Sequence, residues 1–212
     1  MQVERAKSGG KRPSAREKLL DLAETAVLQK GFASTSIEEL IAGAEITKSG
    51  FFYHFRDKGD LAKALLLRHL ERDDEILDNL FREADALNED PLHGFLVGLK
   101  MLADMLADMP GRHPGCLVAS YCYQDKLFDR EIRELNTQGV LAWRQRFRER
   151  LDRIARRYPP RIEVDMEALA DMASALVEGG IILSMVLKQT SALPKQVMLY
   201  RAFVRAVFSP ER

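Results

Sequence analysis

A lysine, a serine and three aromatic rings stand close together at Lys48, Ser49, Phe52, Tyr53 and His54, with Lys58 just beyond. A cation binds phosphate, hydroxyl and imidazole groups bond phosphates or base edges, and an aromatic ring meets a thymine methyl. This is binding chemistry, with no bond made or broken. The other reactive side chains are scattered. The histidines His54, His69, His93 and His113 show no metal-ligand spacing, and the two cysteines, Cys116 and Cys122, exclude a disulfide scaffold and a four-cysteine zinc site. Phosphate-loop, dinucleotide and His-Glu-x-x-His patterns are absent from the sequence. The expectation is a protein that is not an enzyme, with no cofactor and no metal.

The elements that must position the first group can be read from spacing. Ser14-Ala-Arg-Glu17 and Ser36-Ile-Glu-Glu39 each have the form of a capping box. The first opens helix one, with Leu19, Leu22, Ala23, Ala26 and Val27 at helical spacing and Gly31 as its stop. The second opens helix two, with the stripe Ile37, Leu40, Ile41 and Ala44. A tight turn at 44–46 leads to helix three, from Thr47 to about Tyr53, with Thr47 as its N-cap. Two short helices around a tight turn have helix-turn-helix geometry. Ile37, Leu40, Ile41, Ile46, Phe51 and Phe55 would hold them against helix one, leaving Lys48, Ser49 and Phe52 on the opposite side. Spacing alone leaves open an ordinary helical hairpin.

The segment Ala44-Glu-Ile-Thr-Lys-Ser-Gly-Phe-Phe-Tyr-His-Phe-Arg-Asp-Lys-Gly-Asp-Leu61, with Gly31-Phe32 and Thr35-Ser36-Ile37 before it, resembles the recognition-helix signature of the tetracycline-repressor (TetR) family. The close resemblance covers about residues 14–70. It implies a ligand-responsive transcriptional regulator, in the usual case a repressor, that binds a pseudo-palindromic operator in double-stranded DNA as a homodimer. By that resemblance Ser36 and Thr47 contact phosphates from helix N-termini, and Lys48 and Ser49 face the major groove. Phe52 lies at the sugar–phosphate edge or a thymine methyl, and Tyr53, His54 and Lys58 contact further phosphates. Two positions depart from the pattern: Glu45 stands where the turn glycine is usual, and Ser49-Gly50 shifts the small residue by one. If the turn keeps a left-handed residue, Glu45 costs about 1–2 kcal/mol there.

Behind this head the chain continues as helix after helix, and an all-α fold of about nine helices is expected. Helix four starts at Asp57, helix five at Pro91, helix six spans about 116–124, helix seven 129–158, helix eight 164–188 and helix nine 194–208. The division expected is a flexible basic arm over 1–13, a DNA-binding domain over 14–58, and a ligand-binding and dimerisation domain over 59–212. Helix eight is apolar nearly all round between Leu176 and Leu183, so it must be covered on more than one side. The resemblance implies that helices eight and nine form a four-helix dimer interface, for which Gly179, Gly180, Leu183, Phe203 and Val207 are the candidates. Completion of the chain's own core is the alternative.

For an unknown small-molecule effector, Cys116, Tyr121, Tyr123, Trp143 and Phe147 are the candidate lining, although aromatic positions are more often plain core. Cys116 follows a Pro-Gly break at the start of helix six, where a helix N-terminus lowers a thiol pKa. Inert burial is the competing reading, and the one preferred. The basic run from Arg144 to Arg157 reads as a solvated face, with a second anion site as the alternative.

The net charge is zero, so any nucleic-acid footprint must be local. Arg5, Lys7, Lys11, Arg12, Arg16 and Lys18 against Glu4 and Glu17 supply one in the first eighteen residues. With no signal-type stretch and no long uncharged apolar run, a cytoplasmic protein without a membrane partner is expected. A helical ligand-binding or adaptor module with a vestigial helix-turn-helix remains the second reading.

Overall fold

The computed structural model describes residues 14–109, 111 and 113–209, all helix and connection with no strand among them. The basic arm, Pro110 and Arg112 lie outside the described residues. Among the described residues nine α-helices follow one another: α1 (Ala15–Ser34), α2 (Ile37–Ala44), α3 (Lys48–His54), α4 (Lys58–Leu87), α5 (Pro91–Ala107), α6 (Leu117–Tyr123), α7 (Arg130–Arg157), α8 (Met166–Val186) and α9 (Ala192–Phe208). A 3-10 turn, Asp125–Leu127, joins α6 to α7; the spacing did not announce it.

Side-chain caps decide where the helices begin. The hydroxyls of Ser14, Ser36 and Thr47 and the carboxylates of Asp57, Asp90, Asp129 and Asp165 accept first-turn N–H groups of the helices that follow. Each such cap stabilises its helix by about 1 kcal/mol. The expected stop at Gly31 appears as a bend: its φ is 82°, and one more helical turn carries α1 to Ser34.

Two apolar clusters divide the molecule. One gathers Leu19, Leu40, Phe51, Phe55 and Leu65 of α1–α4, and it also takes Tyr121 of α6 and Ile132 of α7. The other joins α4, α5, α7, α8 and α9 around Phe81, Phe95, Phe147 and Tyr200. The head is therefore not closed at residue 58, because its core is completed by α6 and by the start of α7.

Helix α4 belongs to both clusters, and ion pairs fasten it on two sides. Arg68 bonds Glu17, Asp21 and Glu24 of α1. Arg146 of α7 bonds Asp74 and Asp78, and Arg150 bonds Asp85 while lying over the Phe81 ring.

Helix α8 is long and apolar enough to cross a membrane by length and composition, with mean hydropathy 1.6. It packs between α7 and α9, and Asp171 on it binds Arg144 at 2.7 Å.

Candidate nucleic-acid interface

The turn between α2 and α3 is built by Glu45, which caps α2 in the left-handed region at φ 57° and ψ 43°. Its N–H reaches back to Ala42 O, and the Ile46 N–H reaches Ile41 O. A glutamate thus takes the conformation that glycine holds at little cost. Leu40, Phe51 and Phe55 are buried, and Ile37, Ile41 and Ile46 pack half-buried against them. Each fully buried side chain contributes about 1.5–3 kcal/mol. These contacts fix α3 against α1 and α2 and orient the rest of it outward.

On that outward face Lys48 and Ser49 are exposed, Phe52 is 45% exposed and stands edge-on to Phe51, and Tyr53 is 85% exposed. His54 is half-buried against Tyr53, with ring centroids 5.0 Å apart. Ser36 and Thr47 are exposed at their helix starts, their hydroxyls accepting from the Glu39 and Gly50 N–H groups at 3.1 Å. All eight expected contact residues therefore fall between the N-cap of α2 and the first residue of α4.

Lys58 has partners inside the chain. Its Nζ donates to Phe32 O at 2.6 Å and lies 4.4 Å from the centre of the Phe32 ring, and burial lowers its pKa. An ammonium carries three donors. The Phe32 and Ala33 carbonyls occupy two, the second at 3.4 Å.

The corner Lys58 closes is also held from the body. Gln124 Oε1 accepts the Ala33 N–H at 3.0 Å, and a Cβ at Gly31 would collide with the Gln124 amide. Phe32 packs on Phe128 at 4.9 Å, Phe128 stacks on Tyr121 at 4.4 Å, and the Tyr121 hydroxyl donates to Ala62 O at 2.7 Å. Sequence reasoning missed Gln124 and Phe128, whose contacts are long-range. It also missed Arg68, although Glu17, Asp21 and Glu24 share one helix face, a spacing that asks for a cation.

The expected effector lining does not converge. Tyr121 belongs to the head cluster, and burial pushes its hydroxyl pKa up. Phe147 is buried in the other cluster with Trp143 stacked on it at 5.9 Å, and Tyr123 is 77% exposed. The set is thus spread over two clusters and the surface, because aromatic type alone does not separate core from surface.

Cys116 is half-buried at the start of α6, its Sγ accepting from the Ala119 N–H at 3.4 Å. Burial and the facing Glu178 carboxylate of α8 push its thiol up to about 12, against the lowering a helix start would favour. His113 is pulled down by burial and by His69 of α4.

Two of the interface candidates pack inside the chain. Val207 is buried in the chain's own core, and a Cβ at Gly180 would lie 2.9 Å from the Leu193 Cα of α9. Phe203 packs partly buried on the same core. Gly179 and Leu183 do face outward, together with Ile182, Met185 and Val186.

The basic run on α7 is matched by acids. A groove of about 780 Å³ beside it is lined by Arg146, Arg150 and Arg153 but also by Asp78, Glu149 and Asp152. Nothing there favours a second anion site.

Residues 19–65, from the second turn of α1 into α4, match the family of bacterial regulatory proteins named tetR. Within the head, the chain is 41% identical over 54 residues to the HTH-type transcriptional repressor NemR of Escherichia coli K12. That match spans 27% of the relative's length and 26% of this chain. A probable HTH-type transcriptional regulator, ArpR of Pseudomonas putida, is 26% identical over 77% of both chains. The fold extends further than the sequence likeness. Reduced NemR of E. coli superposes with a TM-score of 0.71 at 19% identity, covering 93% of this chain and 99% of the other. A TetR regulator of Chloroflexus aurantiacus gives 0.74 at 22% identity, covering 92% and 96%.

Proposed function

We propose that the chain is a ligand-responsive transcriptional repressor that binds a pseudo-palindromic DNA operator as a homodimer. The observation that carries this reading is α3 itself. A short helix is pinned from behind by Phe51 and Phe55 and presents Lys48, Ser49, Phe52 and Tyr53 outward. Lys48 and Ser49 stand at its N-terminal end, where a recognition helix meets base edges. Tyr53 and His54 stand at its far end, placed for phosphates. Lys58 keeps one N–H for a phosphate while it braces Phe32. The outward face of α8, with Leu183, Ile182 and Val186, is the surface on which a second copy packs, and two heads then read two half-sites.

The effector site belongs where α4, α6 and α8 converge, around His69, His113, Cys116 and Glu178, and the aromatic set does not define it. Cys116 and Glu178 face each other there across two helices. Helix α6 carries Cys116 at one end and at the other abuts Gln124, which holds the corner of the head. An effector that shifts α6 would move the α1–α2 corner, to the extent that it binds the two arrangements differently.

Selection of bound duplexes from a random library by the full chain tests the operator reading. The expected product is an inverted repeat with half-site centres about one helical turn, or a multiple, apart. Lys48→Ala should relax the preference at the base it reads, each lost base contact costing about 1–3 kcal/mol of discrimination. Recovery of no enriched sequence would count against the reading.

A further inference from the structure

Helix α1 is fastened by different means along its length. Over its first half, Glu17, Asp21 and Glu24 take Arg68 of α4. At its far end the Gly31 bend, with φ 82° and ψ 160°, opens a corner whose backbone groups need partners. The Thr35 hydroxyl donates to Gly31 O at 3.0 Å, Lys58 donates to Phe32 O, and Gln124 accepts the Ala33 N–H at 3.0 Å. Thr35 belongs to the corner itself, and Lys58 to the helix that carries the head. Gln124 belongs to neither. It is the C-cap of α6, and α6 is held on α7 by Asn136, whose Nδ2 donates to Val118 O at 3.2 Å.

Among the described residues, no other hydrogen bond or ion pair joins residues 15–55 to the helices after α4. The neighbouring contacts are apolar, with the Phe32 ring against Phe128 and Tyr121. Apolar attraction is non-directional, whereas a hydrogen bond fixes both distance and angle. The aromatic contact therefore holds the corner against the body but lets it slide, and the Gln124 bond sets where it stops. The corner in turn aims the reading unit. Thr35, the C-cap of α1, is followed directly by Ser36, the N-cap of α2, and the Glu45 turn joins α2 to α3. A swing of the corner against the body is thus a swing of α3. One base pair adds only about 3.4 Å along a duplex, so a small swing changes which spacing two heads can span.

We propose that Gln124 is a positioning residue for operator reading: its bond to the Ala33 N–H sets the angle of the α2–α3 unit against the body, and with it the half-site spacing that the dimer accepts. The proposal rests on the operator-binding reading above. Lys48 and Ser49 then decide which bases are read, and Gln124 decides how far apart the two readings stand, so the two roles can be separated by measurement.

The test uses the full chain and three duplexes: the selected operator, and the same operator with its spacer lengthened or shortened by one base pair. Fluorescence anisotropy should show the wild type binding the selected spacing most tightly. Gln124→Met keeps the reach of the side chain and removes its carbonyl oxygen. Ala33 is exposed, so water can take over its N–H, and the corner is freed rather than unfolded. Affinity for the selected spacing should fall by about two- to tenfold per head, the range for one hydrogen bond. The two altered spacings should lose less, so the preference among spacings shrinks while the base preference within each half-site persists. Gln124→Glu keeps an oxygen for the Ala33 N–H and should keep the spacing preference. A merely structural role would lower all three affinities by one factor, and that result overturns the inference. So does a Met variant with wild-type preference, a Glu variant that loses it, or a wild type indifferent to spacing. Should the Met variant not fold, hydrogen exchange at the Ala33 amide of the wild type decides: protection is expected, and exchange at the open-chain rate overturns the assignment. A wild-type chain that binds none of the duplexes overturns the operator reading and this inference with it.

Discussion

Glu45 sits at φ 57° in the turn before α3, where a side chain bears about 1–2 kcal/mol of strain. Glu45→Gly should therefore stabilise the chain by about 1 kcal/mol, and raise the thermal midpoint by about 2–4 °C, as scanning calorimetry would register; an unchanged or lower midpoint would contradict the strain. The same change removes a carboxylate next to the reading face, so DNA affinity should rise with it. The two cysteines offer a second residue-level contrast. Cys116 is half-buried, with its thiol pushed up to about 12 by burial and by Glu178, whereas Cys122 is exposed. Since the thiolate is the nucleophile, limited iodoacetamide labelling of the native protein at neutral pH should modify Cys122 well before Cys116. Peptide mass spectrometry that finds Cys116 labelled first would reverse the assignment of Cys116 as an inert thiol.

Helix α4 works as a beam because its polar faces are occupied on both sides, by Arg68 toward α1 and by the Arg146 and Arg150 pairs toward α7. Its C-terminal end leads to Asp90, the N-cap of α5, which accepts from the Leu92 and His93 N–H groups and from the Tyr158 hydroxyl at 2.6 Å. Burial alone would raise this carboxyl. The hydrogen bonds from Tyr158 and His93, with the nearby charge of Arg157, outweigh it and hold the group at about 2, below its ordinary 3.8. A depressed folded value means that the stabilisation is fully present above the ordinary carboxylate range. It is lost as pH falls from about 4 through about 2. Asp90→Asn keeps a side chain that can cap but loses the charge, so its stability should depend less on pH across that window than the wild type's. Urea midpoints collected from pH 5 down to pH 2 check this; two parallel curves would place the acid sensitivity in other carboxylates.

At the scale of the whole molecule, α8 has one face packed on α9 and another exposed. Gly180 lies against Leu193 of α9, while Val186 is 73% exposed beside Ile182 and Leu183. Val186→Asp should leave the chain folded and turn a dimer into a monomer in light scattering. Gly180→Leu should instead overpack the α8–α9 contact and cost about 1–3 kcal/mol of stability. A wild-type chain already monomeric at micromolar concentration would remove the exposed α8 face from the dimer assignment.

What the sequence determined by itself were the features written in local chemistry. Ser14, Ser36, Asp57 and Asp129 mark helix starts because a cap bonds N–H groups two or three residues away. Leu40, Phe51 and Phe55 mark the buried side of the head because helical period alone places them together. The outward set on α3 follows from the same period. The rest depended on which helices meet, and that is set by packing between residues far apart in the chain. Tyr121 and Trp143 are alike in composition, yet one completes the head's core and the other packs against the body's. Gly179 and Gly180 are adjacent and identical in type, yet only the second has a helix backbone against it. Lys58 is an unpaired cation in the sequence and becomes a brace once the Phe32 carbonyl stands 2.6 Å away. Periodicity says which face of a helix is covered; only the tertiary structure says what covers it, because the partner's identity is a long-range contact that no local spacing encodes.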